Sequence, residues 1–105
     1  MNIKEYQELS SRTANNHLSQ DDAMCNWVMG LCGEAGELTE LVKKKVFHYK
    51  TLNLDDYKKE LGDVLWYLSQ CASIVGLDLE EVAIENIEKL KARYPSGFVG
   101  GGGVR

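Results

Sequence analysis

The chain has 105 residues, 27% of them charged and 44% hydrophobic, with a formal net charge of -4. That length predicts one domain, and the acidic balance excludes a protein built to ride on nucleic-acid backbone, which would gather Lys and Arg on one face. No apolar stretch approaches the roughly 20 residues needed to cross a bilayer. The opening MNIKEYQELS carries charge where a signal peptide needs an apolar run, so a cytoplasmic protein is expected.

Four segments open with a residue able to cap a helix and an acid three positions on. They are Asn2 with Glu5, Ser19 with Asp22, Asn53 with Asp56, and Asp78 with Glu81. This spacing resembles the capping box, in which cap and acid satisfy orphan backbone donors reciprocally. Four helices follow, over roughly 3–14, 20–48, 54–75 and 79–93. The lone proline, Pro95, pushes the residue before it out of helical geometry and ends the last helix near Tyr94. No alternating strand pattern is present, so the fold class is all-α, a four-helix bundle-type domain. Residues 1–96 form that domain, and residues 97–105, with Gly100 to Gly103, form a flexible tail.

The second helix holds Gly30, Gly33 and Gly36 in its middle. Each costs about 1 kcal/mol relative to Ala, so a gain elsewhere must offset them. Spaced by three, they form a groove for a close helix or for a ligand. Cys25, Cys32 and Cys71 contain no CxxC pair, so zinc is not indicated. They read as small buried hydrophobes in a reducing compartment. The third helix carries a stripe expected to be buried: Leu61, Val64, Leu65, Leu68, Cys71, Ala72 and Val75. The fourth offers Leu79, Val82, Ala83, Ile87 and Leu90.

Beside the glycine groove sit Glu34 and Glu37, and the third helix carries Glu60 and Asp63 at the same i, i+3 spacing. Each pair shares one helical face. A solvated face explains Glu40, Asp55, Glu80 and Glu88. It fits the four named acids less well, because Leu38, Leu41, Val64, Leu65 and Trp66 flank them. Converging carboxylates repel unless a cation joins them, and oxygen-only ligands suit Mg²⁺ or Mn²⁺. A di-iron bundle would need Glu-x-x-His motifs. The residues three before His17 and His48 are Ala14 and Lys45, so that reading falls.

GEAGEL, then ELGDVLWYL after a short spacer, resembles the MazG-like, all-α nucleotide pyrophosphohydrolase family, whose motif is E-x-x-E followed by E-x-x-D. EYQELSSRT and NIEKLKARYPSGF also look like short bacterial and phage members, so the resemblance spans nearly the whole chain. One departure stands out: where many members read EExxE, Gly33 takes the place of the extra acid. The resemblance implies Mg²⁺-dependent hydrolysis of a nucleoside triphosphate to the monophosphate and pyrophosphate, by water attacking the α-phosphorus. It implies Glu34, Glu37, Glu60 and Asp63 as metal ligands and catalytic groups, with Mn²⁺ as a possible substitute. It also implies a homodimer or a dimer of dimers.

Asn86, Lys89 and Arg93 share one face of the last helix, a face suited to phosphate oxygens or simply to solvent. Tyr67, one turn after Asp63, is placed to touch substrate or to pack in the core. Lys44, seven after Glu37, faces the site or the solvent. Trp27 can stack on a base, though a core or subunit contact is the plainer reading for it and for Trp66. Two rival readings remain: a non-catalytic nucleotide or metal sensor, supported by Gly33, and a helical interaction module without a ligand.

Overall fold

The computed structural model describes residues 1–98. Its elements are four α-helices: α1 Ile3–Ser11, α2 Gln20–Phe47, α3 Leu54–Ile74 and α4 Leu79–Arg93. No strand occurs among the described residues, so the chain is all-α. The expected glycine-rich tail beyond Phe98 lies outside the described residues.

All four caps form. The Asn2 side chain accepts from Glu5 N at 2.8 Å, Ser19 from Asp22 N at 3.2 Å, and Asn53 from both Asp55 N and Asp56 N. Asp78 accepts from Glu80 N at 2.9 Å, one residue earlier than the expected spacing. Each bond satisfies a backbone donor that the helix leaves without a partner. Three ends agree with expectation to within one residue, but α1 stops at Ser11 rather than residue 14. The Ser10 and Ser11 hydroxyls both donate to Gln7 O, and Thr13 Oγ1 donates to Ser10 O. These side chains compete for the carbonyls that would continue the helix.

α3 ends at Gly76, whose φ is 75°. Leu77 N bonds to Ala72 O and Gly76 N to Ser73 O, the paired bonds of a Schellman motif. A side chain at this φ is strained, so Gly76→Ala is expected to lose about 1 kcal/mol, read as a lower urea midpoint. No loss would mean that this turn relaxes freely.

The α2–α3 pair is the backbone of the fold. Its core is aromatic: Trp27 is buried and meets the Trp66 ring edge-on at 5.4 Å, and Trp66 meets Tyr67 at 5.0 Å. α1 is fastened to α3 by polar groups. Ser10 Oγ and Ser69 Oγ lie 2.9 Å apart, and Gln70 Nε2 donates to Ser10 Oγ. Trp66 Nε1 donates to Ser10 O and Thr13 Oγ1. Gln7 bridges three elements, donating to Ser73 Oγ and Leu77 O and accepting from Leu79 N. Such satisfied buried groups set one register between helices.

The apolar stripes of α3 and α4 are not covered as expected. Ala72 and Leu79 are buried, but Leu61, Leu65, Leu68, Val75, Val82, Ile87 and Leu90 are exposed. The reason is that α4 packs on α1 and α3 but never touches α2, so one chain supplies nothing to cover these faces. The radius of gyration is 16.7 Å, against about 13 Å for a compact chain of this length. Cys25 and Cys32 are also exposed rather than buried. At about 100° per residue they fall on the side of α2 turned away from α3.

Candidate metal and active site

Glu34 belongs to the face of α2 that also carries the buried Ala23 and Trp27, so its carboxyl is aimed at α3. There it meets Glu60 and Asp63, whose spacing sets both on one side of that helix. One carboxylate oxygen from each of Glu34, Glu60 and Asp63 lies within 4.8 Å of the others. Glu34 and Glu60 are half-buried and Asp63 is exposed, so the cluster opens to solvent on one side.

The electrostatics of this trio are unfavourable without a cation. Burial raises the Glu34 pKa above its ordinary range; contact with the Glu60 carboxyl and the charges of Asp63, Glu60 and Glu37 push the same way. Glu60 Oε2 is buried with no hydrogen-bond partner, a position that normally demands one. Glu37 bears on Glu34 through its charge but lies outside the trio and is exposed. The donor set is oxygen only, three carboxylates with an unspent buried lone pair, and it fits a hard divalent cation.

Tyr67 packs between α2 and α3, one turn after Asp63. Its ring lies against Gly30, where a Cβ would stand 2.1 Å from the nearest ring carbon. The other two glycines of the expected groove meet nothing within 4 Å at Gly33 or Gly36. Steps of three turn the helix face progressively by about 60°, so only Gly30 looks squarely at α3. Gly30→Ala gains about 1 kcal/mol of helix propensity, yet overpacking takes back roughly 1–3 kcal/mol. Trp27 and Trp66 prevent the ring from swinging away. A net loss of stability is expected by urea denaturation, and unchanged or raised stability would show that the helices can part there at little cost.

The remaining candidates are dispersed. Asn86 lines a groove of ≈ 500 Å³ between α1, α3 and α4, with Leu65, Leu68 and Val82. Lys89 and Arg93 are exposed on the far half of α4, and neither has an ion-pair partner among the described residues. Lys44 is exposed in the last turn of α2, about 10 Å along the axis from Glu37. Trp27 is enclosed in the core and offers no open ring face for a base.

Tyr6 was not legible as a site neighbour. It lines the same groove as Asn86, and its phenol pKa is raised first by burial and then by the Asp63 charge. This influence joins residues far apart in the chain, so no spacing rule announces it.

Comparison with known proteins gives the family. A family model described as the MazG nucleotide pyrophosphohydrolase domain matches residues 24–98, which include all four paired acids. The "Gene 37 protein" of Mycobacterium phage L5 is 40% identical over 79 residues, covering 71% of this chain and 69% of that protein. No solved structure matches the chain. On the carboxylate pairs, the helical fold and the extent of that match, the chain belongs to the MazG nucleotide pyrophosphohydrolase family.

Proposed function

We propose that this protein hydrolyses nucleoside triphosphates, deoxy or ribo, to the monophosphate and pyrophosphate with Mg²⁺, in nucleotide-pool cleaning or control. The observation that carries this reading is the convergence of Glu34, Glu60 and Asp63, with its orphaned Glu60 oxygen, in a chain of this family. These three carboxylates would hold the Mg²⁺, with Mn²⁺ able to replace it. When bound, the ion offsets phosphate charge and lowers the pKa of a coordinated water. Glu37, close enough for its charge to reach Glu34 yet open to solvent, orients the attacking water and takes its proton. Asn86, Lys89 and Arg93 bind phosphate oxygens. Lys44 adds positive charge that steers the triphosphate inward. Tyr67 serves the site through position, holding α2 and α3 at the spacing the trio needs.

The working unit is a homodimer or homotetramer of domains spanning 1–96, in the cytoplasm. Nothing in an acidic chain of net charge -4 favours nucleic acid as a partner. Among the described residues no helix is long and apolar enough to cross a membrane.

Chromatography of the products from each NTP and dNTP, with and without Mg²⁺, tests the reading and ranks the bases. Monophosphate with pyrophosphate is expected, and lost when Mg²⁺ is omitted. Diphosphate with inorganic phosphate would place the attack elsewhere and overturn it. A second reading, a nucleotide or metal sensor without turnover, is favoured by Gly33, which withholds an acid from the cluster's edge. Calorimetric nucleotide binding with no product would establish it.

A further inference from the structure

A second cavity lies along the same α2–α3 seam as the carboxylates. It is a cleft of ≈ 270 Å³ beside the connection between α1 and α2. Ala23, Trp27 and Gln70 form its buried floor, and Asn15 and Asn16 stand exposed at its rim. None of its lining residues is charged, so it suits a neutral group and not a phosphate. Pockets that enclose a whole drug-sized ligand run from about 300 to 1,000 Å³, so this one takes part of a molecule.

Two polar groups are set into the floor. Ser10 Oγ donates its one hydrogen to Gln7 O at 2.9 Å, so towards its other neighbours it only accepts. Gln70 therefore turns Nε2 to it, at 3.1 Å, and Ser69 Oγ donates to it from 2.9 Å. The amide is locked, with Oε1 on its other side. Among the described residues Gln70 Oε1 meets no donor and Trp27 Nε1 no acceptor. Neither atom is sealed in, because Glu60 Oε2 alone among those residues is both buried and unpartnered. Gln70 is 3% and Trp27 6% exposed, and the cleft they line is where both surface. The floor thus offers one fixed acceptor and one fixed donor. The edge of a nucleobase carries partners of both kinds.

The cleft also stands at a telling distance. Trp27 is seven residues before Glu34, and Gln70 is seven after Asp63. Seven residues make nearly two turns, so each pair shares a helix face and lies about 10 Å apart along the axis. α2 and α3 run antiparallel, since Trp27 meets Trp66 while Glu34 meets Glu60, so both steps lead the same way. That offset matches the reach of a base with its sugar, and it leaves the α-phosphate beside the carboxylates.

We infer that this cleft seats the base of the nucleotide, with Gln70 Oε1 accepting an N–H of the base and Trp27 Nε1 donating to an acceptor on it. The inference rests on the pyrophosphohydrolase reading for the placement of the phosphates. It makes Gln70 the residue that sets base preference. A base that turns an acceptor towards Oε1 is rejected, because both groups then stay unpaired.

Nuclear magnetic resonance tests the cleft without turnover. The chain holds two tryptophans, and Trp66 Nε1 is already bonded to Ser10 O and Thr13 Oγ1. Deoxynucleosides and their monophosphates, titrated into nitrogen-labelled protein, should move the Trp27 indole signal, and one base should move it most. Trp27→Phe assigns that signal by its absence. In turnover, kcat/KM for the preferred dNTP is compared with that for deoxyribose triphosphate, which lacks a base. Gln70→Leu should shrink this ratio by about tenfold, the worth of one such hydrogen bond, chiefly through KM. Asn16→Trp, at an exposed position, plugs the mouth without touching the floor and should shrink it too, even where Gln70→Leu fails to fold.

An active wild type whose Trp27 indole moves with no nucleoside or nucleotide would overturn the inference. So would a ratio that Asn16→Trp leaves unchanged. A wild type that turns over no triphosphate but shows the indole shift defeats the hydrolysis reading and keeps the cleft as a base site. Neither turnover nor shift overturns both.

Discussion

Asp63→Asn is expected to abolish Mg²⁺-dependent hydrolysis while making the metal-free protein more stable. The amide keeps the size of the side chain and removes its charge. Three carboxylates within 4.8 Å repel one another, so neutralising one relieves the folded state. The same change removes a ligand and the electrostatic support it gives the reaction, a loss of about 100-fold or more. Melting curves in EDTA should shift upward. The rise in Tm that Mg²⁺ gives the wild type should shrink, because stabilisation follows native-state affinity. A wild-type rate in the variant would show that the metal assignment is wrong.

The same repulsion sets a pH dependence. The Glu34 pKa is raised from the ordinary value of 4.5, first by burial and then by Glu60, Asp63 and Glu37. A raised pKa means that the native state holds this proton more tightly than the unfolded chain does. The resulting stabilisation is fully present below the unfolded value and is lost as pH rises through the native one. In EDTA, the stability of wild type relative to Glu34→Gln should therefore fall as pH climbs from about 4.5. Excess Mg²⁺ should oppose that fall, since the cation favours the ionised carboxyls. A difference independent of pH in EDTA would mean that Glu34 feels no such crowding.

Trp27→Ala is expected to have the largest effect on stability. Trp27 is one of few buried large side chains and contacts Trp66 at 5.4 Å and Tyr67 at 6.2 Å. Removing a buried indole costs about 3–5 kcal/mol, a large part of the roughly 5–15 kcal/mol that holds a domain. The loss also frees the Tyr67 ring from Gly30, so the carboxylates should lose their spacing and the rate should fall with stability. Urea unfolding at fixed protein concentration measures it, and Trp27→Phe should restore much of the loss. A drop below about 1 kcal/mol would show that the aromatic cluster is not the core.

Part of this was legible along the chain. Asn2, Ser19, Asn53 and Asp78 were readable as caps because each bonds within three residues of itself. Glu34, Glu60 and Asp63 were readable as candidate ligands because spacing set each pair on one face. Their placement relative to Glu37 was not, since it depends on which side of α2 meets α3. The fastening of α1 was hidden for a different reason. Ser10, Ser69 and Gln70 look like surface residues, yet they are buried because they satisfy one another. The apolar stripes of α3 and α4 were correctly read as apolar and wrongly expected to be covered, because a stripe does not say whether another helix of the chain packs on it.

Helix positions, caps and the pairing of acids on a face depend on interactions within about four residues, which is the range over which an α-helix closes its bonds. Those features follow from local order alone. The approach of Tyr67 to Gly30, the meeting of Glu34 with Glu60 and Asp63, and the failure of α4 to reach α2 depend on how helices cross. Crossing is set by side chains distant in the chain packing ridge into groove, and no spacing rule along one strand of sequence contains that information.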